Sequence, residues 1–509
     1  MNYNVKMLSI IFYISLAVLT IFCTLSLYII VYLMYIHWIT SHIPGPPRSS
    51  FFLGHLPDIW KYKARTGRVL LEFMMVKRFE YGKIYLLFLA HQPVVFLADS
   101  SYVRHVFINN HKHLVKPRFV YDKLGFVYGE RSAGYGLVTN TDEKSWQMHR
   151  HIMNPTFYRK SLRDFMKNFN NVCDRFLVRM NAIVKEQKPI SMMVEFGKAT
   201  CESISQVSFN IDTQVIENPN SKFLSAIRLG LEGTQDNMEN PLSSALLTMF
   251  QWSFLQNEKK KSQIEAVRFL RNFASQHVEK RINEIANNKD VPNDLLTSLI
   301  KDGRLTMDEI IDQFLTIFVA GQETTSNSLS FLLYEILNHP HIEEKILNEA
   351  NEVLGDREHM EFEDLGNLKY FNKVMEEGLR KHPVATAPIR VMLKSLEVGG
   401  LNIPSGVIVE SSQLFFGNDP EIWPNPEIFD PERFENVDHI QNFTTTHFPF
   451  SIGRRDCIGR TFAKFEIKVF MVRVLRKFKF QLLPGQTDRM EAKLTIKPCD
   501  GVMCHVMRP

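Results

Sequence analysis

The sequence predicts a mainly α-helical protein with a minor β part (α+β), carried behind a single N-terminal transmembrane helix. Three observations predict it. No charged residue interrupts the stretch from Met7 to Ile36. Helical periodicity dominates after residue 140, and one candidate helix runs from Thr306 to a stop at Pro340. β-like runs are confined to IYLLFL at 84–89, PVVFLA at 93–98 and short segments between 386 and 415.

The anchor comes first. Its apolar run exceeds the roughly 20 residues that span a bilayer. A cleaved signal peptide has a shorter apolar core and a small-residue cleavage site, which this run lacks. Residues 1–38 are therefore read as an uncleaved anchor. Lys6 precedes the run, whereas Arg48, Lys61, Lys63, Arg65 and Arg68 follow it. The positive-inside rule then puts the rest of the chain in the cytosol. Pro44, Pro46 and Pro47 predict an extended, semi-rigid connector within a linker at 39–65. Residues 66–509 are read as one catalytic domain.

Composition bounds that domain. The chain has 509 residues, 45% hydrophobic and 23% charged, which supports a large core and excludes a disordered chain. Net charge is +5 without dense Lys/Arg clusters, so no nucleic-acid partner is expected. A membrane surface or an acidic protein partner fits that charge. Cysteines stand at 23, 173, 201, 457, 499 and 504 with no CxxC pair, which argues against a disulfide scaffold or a zinc site and for a reducing compartment.

Within the domain, helices are predicted near 141–152, 161–186, 265–286, 340–354, 367–381 and 458–476. The helix after Thr306 opens on a Thr-x-x-Glu capping box with Glu309. At about 33 residues it would span roughly 50 Å, as a buried central helix. Gly399-Gly400 and Pro404-Ser405-Gly406 mark turns between the later short strands.

Four constellations carry chemistry. Phe450-Ser451-Ile452-Gly453-Arg454-Arg455-Asp456-Cys457-Ile458-Gly459 places a cysteine in a glycine-containing loop that leads straight into a helix. Free N–H groups at that helix start favour a thiolate, and the glycines permit tight turns and close approach by a flat cofactor. Ala320-Gly321-Gln322-Glu323-Thr324-Thr325 interrupts the apolar central helix with an acid and hydroxyls. Glu377 and Arg380 share a helix face at i, i+3, followed downstream by Pro431-Glu432-Arg433-Phe434. Trp146 and Arg150 share another at i, i+4. Each of the last two pairs alone reads as an ordinary salt bridge or core contact. Asn442-Phe443-Thr444 matches a glycosylation sequon, which a cytosolic domain would not use. His111, His113, His149 and His151 lack the rest of a metal site.

Together these segments resemble the cytochrome P-450 superfamily, the haem-thiolate monooxygenases, over essentially everything after the anchor. The resemblance implies that fold, and a heme b cofactor whose iron is ligated by Cys457. It implies that Phe450 shields the sulfur, and that Trp146, Arg150, Arg455 and Arg390 bind the haem propionates. Thr324 and Glu323 would then handle protons during oxygen activation. Glu377, Arg380 and Arg433 would form a structural triad. Stretches such as SHIPGPPRSSFFLGHLP and THFPFSIGRRDCIGRTFAKFEIKV are similar to the sterol side-chain hydroxylases of that superfamily. The regions expected to contact substrate, 118–138 and 215–255, match much less clearly.

The implied reaction is hydroxylation of a lipophilic substrate, a sterol first, with a fatty acid or xenobiotic as alternatives. The chain has no flavin or nicotinamide fingerprint, so electrons would come from NADPH through a flavoprotein reductase. Arg454, Lys464, Lys468, Arg473, Arg476 and Lys477 would offer a basic docking surface for it. The implied location is the endoplasmic reticulum membrane, single-pass, with the catalytic domain facing the cytosol. An isomerase or lyase would not need Glu323 and Thr324. A non-catalytic haem-dependent sterol-binding protein is the alternative from another class.

Overall fold

In a computed structural model, residues 2–66, 70–218, 220–240, 247–248, 257–385, 388–438, 440 and 442–509 are described. The expected substrate-contacting region 215–255 thus lies partly outside the described residues, as do residues 386–387 of the β-containing region. The chain divides into two compact units, Met1–Leu114 with Ile389–Ser411, and Val115–Pro388 with Ser412–Pro509.

The first unit begins with helix α1, Asn2–Ile39. Its apolar stretch Ser9–Ile39 covers 31 residues and is long and apolar enough to cross a membrane. At 1.5 Å per residue that is about 46 Å, against roughly 30 Å of hydrocarbon. Helices α2, Leu56–Thr66, and α3, Leu70–Tyr81, follow. Strands β1, Ile84–Leu89, and β2, Gln92–Leu97, form an antiparallel hairpin. A five-stranded sheet is completed by β3, Leu114–Val115, β4, Ile389–Met392, and β5, Ile408–Glu410, in the order β1-β2-β5-β4-β3.

The proline segment is fixed to the sheet by contacts that its composition does not reveal. The Pro44 carbonyl accepts from the Leu86 N–H at 2.7 Å. His55, buried, accepts from the Phe88 N–H on Nδ1 at 2.8 Å and therefore donates from Nε2 to the Pro46 carbonyl at 3.0 Å. A Cβ at Gly45 would stand 2.3 Å from the Leu86 carbonyl oxygen, so only glycine fits. The segment is laid against β1 by backbone pairing, which proline spacing does not reveal.

The second unit is helical around one large hydrophobic core. Its helices include α4, Glu143–Met153, α5, Met166–Glu186, α6, Met192–Phe209, α7, Glu258–Ala286, α8, Met307–Asn338, α9, Lys369–Lys381, and α10, Arg460–Lys477. The central helix α8 packs against α6, α7, α9 and α10. Its start is the expected capping box: the Thr306 hydroxyl accepts from the Glu309 N–H, and the Glu309 carboxylate accepts from the Thr306 N–H at 2.9 Å. The helix predicted over 161–186 is divided at Phe165, whose N–H turns back to the Leu162 carbonyl. The one predicted over 265–286 begins earlier, at Glu258, because Asn257 caps it through the Lys260 N–H. Helix α6 was not anticipated. It is buried almost all round, so its sequence shows no amphipathic stripe.

Candidate active site

The cysteine loop is shaped by two left-handed residues, Ser451 (φ 65°) and Gly453 (φ 79°). The Cys457 N–H closes it on the Phe450 carbonyl at 2.9 Å. Helix α10 follows with Gly459 as N-cap and no side-chain cap, so its first N–H groups stay bare. The Cys457 thiol is ringed by protein atoms, yet the residue is accessible to solvent-sized probes. Burial pushes the thiol pKa up; the Gly459 N–H and the Arg460 and Arg150 charges oppose this without overcoming it. Such a thiol is a poor free nucleophile, whereas metal coordination removes its proton outright.

Two arginines flank the loop. The Arg150 guanidinium on α4 donates to the Asp456 carbonyl at 2.6 Å, to Asp456 Oδ1 at 3.0 Å and to Asn154 at 2.8 Å. Arg455 lies over the buried Trp146 ring at 4.2 Å and donates to the Asn140 carbonyl at 2.7 Å and to Glu143 Oε2 at 2.8 Å. Burial pushes the Glu143 carboxyl up, but the Arg455 and Gln147 hydrogen bonds outweigh it and hold it below its ordinary value. Asp456 also pairs with Arg460 at 3.0 Å. Asp456, Glu143 and Asn140 were not singled out from sequence: partners some 300 positions apart leave no local pattern. Phe450, half-buried, is approached by Arg460 and Lys464 at 5.9 and 5.7 Å. Arg390 belongs to the first unit, on β4 opposite Val409, where its Nη1 donates to the Ile389 carbonyl at 2.8 Å.

Helix α8 is buried along Ile310–Phe318 and again from Thr325 to Asn327. Between them Val319, Ala320, Gly321, Glu323 and Thr324 are half-exposed, with Gln322 buried. This spacing is one helical face, so the turn borders open space in the midst of a core helix. The Thr324 hydroxyl donates to the Ala320 carbonyl at 2.7 Å, which leaves its oxygen lone pairs able to accept. Burial raises the Glu323 carboxyl above its ordinary value, opposed by a hydrogen bond from Thr495 and by the Lys497 and Lys493 charges. Thr495 in turn accepts from Asn327 at 3.0 Å. A Cβ at Gly321 would meet Ile204 of α6 at 2.8 Å, so glycine here lets α6 close on α8.

The structure brings Glu377, Arg380 and Arg433 together. Glu377 and Arg380 are fully buried and joined by two hydrogen bonds of 2.6 and 2.8 Å. The carboxylate also accepts from the Asp430 N–H at 2.9 Å, with Arg433 Nε 3.4 Å away. Arg380 reaches on to the carbonyls of Gly417, Pro426 and Ile428.

The expected basic surface is corrected in part. Arg473 is buried and donates to Asn170 and Asp174, and Lys468 is buried and donates to the Leu365 carbonyl at 2.7 Å. Lys477 pairs with Glu358 at 2.6 Å. A cleft of about 550 Å³ keeps Lys464 and Lys468 of the expected set in its lining and adds Arg159, Lys369, Lys373 and Arg460, with Lys464 paired to Glu376 and Lys373 to Glu432 and Glu435.

A thiol on a tight loop at the bare start of a core helix is the donor expected of an enzyme that holds a metal cofactor by thiolate. Guanidinium and indole groups on the same loop and on α4 suit the carboxylates of a porphyrin, so the residues present fit haem. The comparisons with known proteins give the family. The model of the family described as Cytochrome P450 matches residues 44–504. The chain is 29% identical over 496 residues to cytochrome P450 3A9 of Rattus norvegicus, covering 92% of this chain and 93% of that protein. It is 27% identical over 486 residues to cytochrome P450 4d2 of Drosophila melanogaster, covering 90% and 92%. With cytochrome P450 3A7 of Homo sapiens it is 27% identical over 486 residues, covering 91% of each. The chain belongs to the cytochrome P450 family. It is a haem-thiolate monooxygenase that takes electrons from a redox partner and acts on a lipophilic substrate, with an apolar N-terminal helix suited to membrane association.

Proposed function

We propose that this chain hydroxylates a sterol in the manner of cholesterol 24-hydroxylase, at heme b held by Cys457. The observation that carries the site assignment is the accessible thiol enclosed by protein at the uncapped start of α10. When bound, haem supplies the activation of O2 and the insertion of one oxygen atom into a C–H bond. The balance is substrate, O2, NADPH and a proton giving alcohol, water and NADP⁺. A flavoprotein reductase passes the two electrons. Support for a sterol is the resemblance of the segments around 41–57 and 446–469 to sterol side-chain hydroxylases, together with the membrane anchor, since a sterol partitions into the bilayer.

The chain's own groups have separable tasks. Gly459 holds the sulfur through its N–H. Trp146, Arg150 and Arg455 receive propionates, with Arg390 a further contact, and Phe450 screens the sulfur. Thr324 accepts from a water molecule while its hydroxyl donates to the Ala320 carbonyl. Glu323, its carboxyl raised by burial, exchanges protons through Thr495. Glu377, Arg380 and Arg433 brace the fold. Residues 1–38 anchor the chain in the endoplasmic reticulum, 39–65 link, and 66–509 catalyse on the cytosolic side.

Binding spectra of the purified holoenzyme with cholesterol, other steroids and fatty acids, followed by mass spectrometry of products, test the substrate. A side-chain hydroxylated sterol is the expected product. Turnover of fatty acids or xenobiotics with no sterol response replaces the sterol reading, and binding without turnover leaves only a carrier. In Thr324→Ala, product per NADPH consumed falls about tenfold, the worth of one well-placed hydrogen bond, while NADPH consumption continues and hydrogen peroxide rises. Unchanged coupling removes Thr324 from the proton path.

The cleft lined by Arg159, Lys369 and Arg460 suits an acidic redox partner. Reductase-supported turnover should fall as salt rises, and Lys369→Glu should raise the KM for reductase several-fold. Indifference to both moves the docking surface elsewhere.

A further inference from the structure

Glu466 is fully buried in α10. Among the described residues its two carboxylate oxygens have no hydrogen-bond partner, and neither does Ser203 Oγ on α6 or Thr325 Oγ1 on α8. The two hydroxyls are nevertheless the groups close enough to act on the carboxyl. Three helices therefore converge on a small polar cluster. No cation is among the groups acting on Glu466. A buried carboxylate without a counter-charge is far costlier than the acid, and burial accordingly lifts this carboxyl to about 8. The neutral acid has what the cluster lacks: one O–H to donate and oxygens to accept. A small rotation of each side chain would then satisfy all four orphaned oxygens.

The cluster sits at a sensitive place. Thr325 follows Thr324 directly and belongs to the buried face of the α8 turn whose other face carries Glu323 and Thr324. Thr200 of α6 donates to the Gln322 carbonyl at 2.9 Å in the same turn. We propose that Glu466 is a positioning residue: as a neutral acid hydrogen-bonded to Ser203 and Thr325, it clamps α6, α8 and α10 together and fixes the turn that presents Glu323 and Thr324. The clamp rests on the reading of that turn as the proton-handling site, and it adds a residue outside the site itself.

Infrared difference spectroscopy on the full-length holoenzyme tests it. At neutral pH the wild type shows the carbonyl stretch of a protonated carboxylic acid, shifted in D2O and absent in Glu466→Gln. The band changes frequency in Thr325→Val and in Ser203→Ala, each of which removes one partner. Product per NADPH falls about tenfold in Glu466→Leu and in Thr325→Val at full haem content, and Glu466→Gln, which can still donate and accept, recovers most of it. A wild type without the band, a band indifferent to both hydroxyl deletions, or coupling unchanged in Thr325→Val overturns the proposal. If Glu466→Leu fails to take up haem, Thr325→Val carries the coupling measurement. If Thr324→Ala alone leaves coupling intact while the band and the Thr325→Val effect appear, the Thr324 assignment falls and the clamp stands.

Discussion

Cys457→Ala, purified from haem-supplemented cells, is expected to lack the ferrous–CO absorption of thiolate-ligated haem and to form no product. The loss should be complete, because the loop from Phe450 to Gly459 holds one cysteine. Cys173, Cys201 and Cys504 are buried in the core, and desolvation drives their thiols up, to about 12 for Cys173 and Cys504. Cys23 lies within the apolar α1 stretch. Cys457→His provides the contrast: a neutral imidazole in the same loop would give the absorption of a nitrogen-ligated haem. A thiolate-type spectrum that survives in Cys457→Ala would assign the ligand to another residue and remove the basis of the site.

Glu377→Ala has the second large effect. It leaves the Arg380 guanidinium fully buried with its two carboxylate bonds gone and only neutral carbonyls as partners. Removing one partner of a buried pair costs about 3–5 kcal/mol, a large part of the roughly 5–15 kcal/mol that stabilises a typical domain. The protein should be recovered in low yield, without haem, and melt at lower temperature. Glu377→Gln keeps acceptors for Arg380 and the Asp430 N–H and should be milder. The measurements are haem content per polypeptide and the thermal transition. A Glu377→Ala protein with full haem and an unshifted transition would reduce the pair to an incidental contact.

These residues differ in how plainly the sequence displays them. The Cys457 loop, the Thr306–Glu309 cap and the Glu377–Arg380 pair are encoded by short spacing, so the pattern and the contact coincide. Lys468 and Arg473 show the opposite. Charges on a helix read as a solvated face, but acceptors supplied by Leu365, Asn170 and Asp174 take both inside. Thr495, which meets Glu323, and Asp456, which holds Arg150, depend on elements distant in the chain. Helix α6 is hidden for another reason: with no solvent face it has no periodicity to detect. Its Ser203 and Thr200 look like poor helix residues until α8 and α10 are set against them.

The folding of the proline segment onto β1 makes the anchor a bracket rather than a leash. Leu33 and Ile43 are buried, and the His37 ring packs edge-on against Phe51 and Phe88 at 5.2 and 4.8 Å. The apolar helix α1 and the sheet that follows it are thus mechanically continuous. A helix longer than the local hydrocarbon leans to fit, and a sheet bolted to its end must lean too. With α1 in a bilayer, its thickness would therefore set the tilt of that sheet as well as that of the helix.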